Sequence, residues 1–131
     1  MASRARVSII GNNIMDIDSI VDLFGFGCLV DLNNFLKTSP DFDINGILYM
    51  GATPLGIAVR FSNYDIVEFL ITLGADIDKC DRDLGGEPPV KLAFDQKDLK
   101  MYEMLRSRGA DLCCPGWMGI SVEDRLRELD S

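Results

Sequence analysis

The sequence predicts an all-α stack of short helix-turn-helix repeats, about three and a half of them, with degenerate units capping both ends of a single domain over residues 1–131. Three observations predict it. The stretch Gly51 to Asp76, GATPLGIAVRFSNYDIVEFLITLGAD, holds a Thr-Pro start, two apolar patterns at helical spacing and a closing Gly-Ala-Asp. Gly51, Pro54, Ala58, Leu70 and Gly74-Ala75-Asp76 recur 35 residues later as Gly86, Pro89, Ala93, Leu105 and Gly109-Ala110-Asp111. Each helix marked in this way has only about two to three turns, too short to stand alone in water, so every unit needs a neighbour.

Taken in order, residues 1–15 are expected to be loosely ordered, with a turn at Gly11-Asn12-Asn13. A degenerate capping repeat follows over 16–45. Its first helix runs from Asp16 to Phe24, with Ile17, Ile20, Val21, Leu23 and Phe24 on one face, and Gly25-Phe26-Gly27 breaks it. Its second helix runs from Cys28 to Leu36 with Leu29, Leu32, Phe35 and Leu36 inward. Lys37 suits its C-terminal dipole and Pro40 stops it.

The central repeat spans 46–78. Thr53 caps and Pro54 takes the first helical position. Ser62-Asn63 makes the turn, and Ile66, Val67, Phe69, Leu70 and Leu73 form the second helix. Gly74 stands where a left-handed C-terminal residue is wanted. The next repeat spans 79–112, starting its helices at Pro88 or Pro89 and at Leu99. Gly85-Gly86 marks a turn that needs positive φ. A half-repeat over 113–131 closes the chain with a helix from Ser121 to Leu129. Ser121 and Asp124 have capping-box spacing, and Glu123, Asp124, Arg125, Arg127 and Glu128 give it the wet face a terminal unit requires.

Composition narrows the function. The net charge of −8 repels phosphate backbones, which argues against nucleic acid; it suits a basic protein partner or serves solubility. No run approaches the length of a membrane span, and the N-terminus lacks a signal-peptide core. The four cysteines, Cys28, Cys80, Cys113 and Cys114, have no metal-binding spacing and read as reduced thiols of a cytoplasmic protein.

With no histidine, the commonest general base is missing. The pairs Asp16/Asp18 and Asp81/Asp83 read as solvated turn residues. The acidic run from Asp76 to Asp83 lacks the calcium-loop order. Gly25-Phe26-Gly27 and Gly85-Gly86 lack the nucleotide-loop context. No catalytic, cofactor-binding or metal-binding residue is expected, and no cofactor.

The repeating unit resembles the ankyrin repeat, with its T-P-L-H-x-A signature and period near 33. Thr53-Pro54-Leu55-Gly56-Ile57-Ala58 fits except for Gly56, which stands where the family has His. Pro88-Pro89-Val90-Lys91-Leu92-Ala93 departs further, lacking both Thr and His. The resemblance covers about residues 19–131 and implies a non-enzymatic protein-protein interaction module, monomeric on its own, whose partner lies against the turn tips and the exposed part of the first helices. Carried over by position, the partner-binding residues are Tyr49, Met50, Arg60 and Phe61 in the second unit. The third unit supplies Asp81, Arg82, Asp83, Leu84, Glu87, Asp95 and Gln96, and the fourth Trp117 and Met118.

Tyr49, Phe61 and Trp117 then form an aromatic row beside Arg60, built from the residue types that anchor interfaces. The competing readings are that Trp117 folds back as a lid on the core, that Phe61 packs inside its turn and that Asp81-Arg82-Asp83 is a solvated loop. A stand-alone, acidic, degenerate array is similar to short bacterial ankyrin proteins that neutralise toxins. The expectation is therefore an immunity- or antitoxin-like inhibitor of one protein, such as a basic toxin or nuclease. The alternative is an adaptor or scaffold subunit of a larger assembly.

Overall fold

The structure is a computed structural model that describes the backbone of residues 7–10 and 13–129 and the side chains of residues 17–129. It opens with an antiparallel hairpin of β1 (Val7–Ile10) and β2 (Asn13–Asp16), paired from Val7↔Asp16 to Ile10↔Asn13. The sequence reading expects loose chain here. Val7, Ile9 and Ile10 favour a strand once a second segment can pair with them. The turn expected at Gly11-Asn12-Asn13 falls mainly on Gly11 and Asn12, which lie outside the described residues.

Seven helices follow among the described residues: α1 (Ile17–Phe26), α2 (Leu29–Thr38), α3 (Pro54–Arg60), α4 (Tyr64–Thr72), α5 (Pro89–Asp95), α6 (Leu99–Ser107) and α7 (Val122–Leu129). Short 3-10 turns occupy Arg82–Leu84 and Trp117–Gly119. The odd-numbered helices form an inner row in which α3 packs on α1 and α5, and α5 packs on α7. Behind them α2, α4 and α6 lie against their own partners, with α2 also touching α4.

The core repeats with the sequence. Leu55, Ala58, Ile66 and Leu70 of the central unit are essentially solvent-free, and so are Val90, Ala93, Met101 and Leu105 at the matching positions of the next. Phe24, Phe35 and Phe42 close the N-terminal end as one aromatic group, with ring centroids 5.1 to 6.4 Å apart. Leu29, expected inward, is exposed instead, and so are Leu73 and Leu99 of the other outer helices. Leu29 and Leu99 are the first residues of α2 and α6, and Leu73 caps α4, so all three sit at helix ends.

The helix starts follow local chemistry. Thr53 accepts from the Gly56 N–H and Asn63 from that of Ile66. Ser121 and Asp124 form a reciprocal box: the Ser121 N–H donates to Asp124 Oδ2 at 3.0 Å, and the Asp124 N–H donates to Ser121 Oγ at 3.2 Å. The Ser121 N–H, together with the Ser121 hydroxyl that donates to the same oxygen at 3.1 Å, holds the Asp124 carboxyl below the usual carboxylate range.

The same capping positions also tie repeat to repeat. The Asn63 amide donates to the carbonyls of Phe24, Gly25 and Gly27 at the end of α1, at 3.0 to 3.4 Å. Asp98 occupies the equivalent place before α6. Its carboxylate accepts from Ser62 Oγ and Tyr64 Oη at 2.8 Å each, as well as from the Met101 N–H. One cap is an amide facing carbonyls and the other a carboxylate facing hydroxyls, so each has the polarity its preceding unit demands.

Candidate partner-binding surface

The turns between units carry the candidate surface. Tyr49, Met50, Gly51 and Ala52 make a tight hairpin, with the Ala52 N–H donating to the Tyr49 carbonyl at 2.9 Å. Met50 and Gly51 both have positive φ, 49° and 81°, as this type of two-residue turn requires. The last tip repeats the device, with φ of 64° at Met118 and 74° at Gly119. Methionine rarely adopts this backbone. At both tips it directly follows an aromatic residue, Tyr49 or Trp117, and is well exposed.

Main-chain bonds set the tips side by side. The Asp81 N–H donates to the Gly51 carbonyl at 2.8 Å, and the Trp117 N–H to the Gly86 carbonyl at 3.1 Å. Gly51 and Gly86 meet so closely that a Cβ on Gly86 would lie 2.3 Å from the Gly51 oxygen. Gly85 has the positive φ expected of that pair, whereas Gly86 is glycine for lack of room.

Around these tips most candidate residues fall into two hollows and a group bonded to the fold. The first hollow, about 360 Å³, gathers Tyr49, Met50, Arg60 and Phe61 over a floor of Val21, Ala52 and Ile57. The second, of similar size, gathers Trp117, Met118, Arg82 and Asp83. Trp117 is half exposed, which excludes a lid closed fully over the core. Phe61 is 41% exposed, its inner face against α1. Leu84 stands free on the middle tip.

Several acidic candidates serve the fold. Asp81 is half-buried, and its carboxylate accepts from the Asp83 N–H at 3.1 Å, starting the 3-10 turn. Glu87 and Asp95 flank Lys91, whose side chain is 5% exposed. Its Nζ bonds to Asp95 Oδ2 at 2.7 Å and lies 3.3 Å from Glu87 Oε1, an ion contact without hydrogen-bond geometry. The Gln96 amide reaches the Val59 carbonyl at 3.5 Å.

Phe26 is the contributor sequence reasoning missed. It is 67% exposed, with its ring centroid 4.5 Å from that of Phe61. The reading of Gly25-Phe26-Gly27 as a break is corrected here: α1 runs through Gly25 and Phe26 and ends before Gly27. Gly25 is glycine because a Cβ there would lie 2.6 Å from the Phe61 ring.

Burial pushes the Cys80 thiol up to about 11 and raises that of Cys114 as well. No disulfide joins the four cysteines. No helix of the described residues is long and apolar enough to cross a membrane. Among the described residues no group of three or more His, Cys, Asp or Glu could hold a metal ion.

The fold is that of a helical repeat stack whose turn tips stand in a row. The ankyrin repeat family model matches residues 50–82, which begin at the first tip, include α3 and α4 and end in the second turn. The chain carries an ankyrin repeat, and its helical array is ankyrin-like. No curated protein sequence matches the chain.

Proposed function

We propose that the chain is a non-enzymatic module that binds one partner protein across its turn tips and blocks that partner's activity. The observation that carries the reading is the hydrogen-bonded row of tips with Tyr49, Met50, Leu84, Trp117 and Met118 exposed along it. Large apolar side chains held this way by a rigid main-chain ladder are unusual without a partner to cover them. The net charge of −8 supports a basic partner, drawn in at long range, and a toxic enzyme such as a nuclease is the form we favour.

The test is affinity co-purification of the full chain at low and high salt, with mass spectrometry and an activity assay on what is retained. One stoichiometric basic enzyme, inactive while bound and released more readily in salt, is the expected result. The same enzyme remaining fully active in the complex would contradict the inhibitory part. Several non-enzymatic partners, or one large assembly, would establish the adaptor instead.

A further inference from the structure

We propose that the hollow beside Tyr49 and Phe61 receives one large apolar side chain of a partner polypeptide whose adjacent residue is Asp or Glu. This deepens the reading above and rests on it, since it names the chemistry that one part of the surface recognises. The floor of the hollow is wholly apolar and its only charge is Arg60. Arg106, Arg108, Arg125 and Arg127 each pair with a carboxylate, whereas Arg60 and Arg82 are exposed and have no ion-pair partner among the described residues, and of these two only Arg60 stands beside the apolar hollow. An acidic chain that leaves this guanidinium unpaired beside an apolar recess presents the complement of an apolar-acidic pair.

The wall is built rather than incidental. Gly25 sits inside α1, where glycine costs helix stability, and its missing Cβ is what lets the Phe61 ring lie against that helix. Phe26 packs against the same ring, with centroids 4.5 Å apart, and Ser62, just after Phe61, takes the left-handed backbone with φ of 57°. A position that sacrifices helix propensity to seat one aromatic side chain fixes the shape of the recess.

The experiment is a titration of the ¹⁵N-labelled full chain with acetylated, amide-capped dipeptides, followed by amide chemical shifts. Phe-Glu is expected to shift the amides of Ala52, Arg60, Phe61 and Ser62, and to half-saturate at roughly two- to fivefold lower concentration than Phe-Gln. Phe-Lys is expected to be weakest and Ala-Glu inert. Arg60→Gln should close the gap between Phe-Glu and Phe-Gln while the rest of the spectrum stays in place. Gly25→Ala should weaken both by displacing the Phe61 wall.

No response at these amides to any dipeptide, a gap that survives Arg60→Gln, or Phe-Lys equal to Phe-Glu would overturn the inference. Movement of the same amides on simple dilution would overturn it in favour of a second copy of the chain. The titration reads the hollow without the partner. Its failure therefore leaves co-purification to succeed or fail by itself, which separates this inference from the general reading.

Discussion

Asn63 and Asp98 each do two jobs, and the jobs can be separated by substitution. Asn63→Asp keeps a good helix cap but removes the amide that donates to two carbonyls of α1 and one just beyond its end, and sets a charge against them. It should cost about 1–3 kcal/mol in denaturant unfolding, whereas an uncoupled cap would change by a few tenths. Asp98 carries a pH signature. Burial alone would raise its carboxyl, but hydrogen bonds from Ser62, Tyr64 and the Met101 N–H outweigh it and hold the group below the usual carboxylate range. The folded chain then binds fewer protons than the unfolded chain near pH 4, so stability present above that range is lost as pH falls through the folded pKa. Asp98→Asn should flatten that acid limb; an unchanged limb would contradict the assignment. Asp78 works the other way, raised first by burial, so the comparison must be with wild type rather than with a flat line. Cysteine reactivity should divide in the same manner. Exposed Cys28 and Cys113 should be alkylated at neutral pH well before Cys80 and Cys114, whose thiols burial holds protonated.

Among the elements, the turn ladder is the most demanding. Gly51 has φ of 81°, and a Cβ there would lie 2.4 Å from both the Asp81 oxygen and the Gly86 nitrogen. Gly51→Ala should therefore cost about 1–3 kcal/mol for the backbone alone and split the first two tips. Loss of the hydrogen-exchange protection of the Asp81 amide would report the split. Ser121→Ala should cost about 1 kcal/mol by opening the box that starts α7. The helices themselves were readable from the sequence because Thr53-Pro54, Asn63, Asp98 and Gly74 are punctuation whose effect is local, and their offset of 35 residues copies one unit onto the next. The hairpin β1–β2 was not, because two four-residue strands paired three to nine residues apart leave no helical period to read. Gly25-Phe26-Gly27 misled for a related reason. A glycine inside a helix looks like a stop until the distant Phe61 ring that needs its space is known.

At the scale of the whole molecule, the tip residues follow from the position of the surface in the resembled family and from the repeat offset, and Tyr49, Phe61 and Trp117 are exposed. Offsets could not separate the two hollows, nor reveal that Glu87 and Asp95 are held by Lys91. Both facts depend on which side chains meet across units. The central claim is that the row of tips is the partner surface. The measurement that tests it most directly compares the wild-type chain with Tyr49→Ala/Arg60→Ala/Trp117→Ala in the same co-purification, each checked first by thermal unfolding. All three side chains are exposed, so the fold should be kept. The account predicts that the triple variant unfolds close to wild type and loses the partner, with affinity down at least about 100-fold. A triple variant that stays folded and holds its partner as tightly as wild type would place the binding surface elsewhere on the stack.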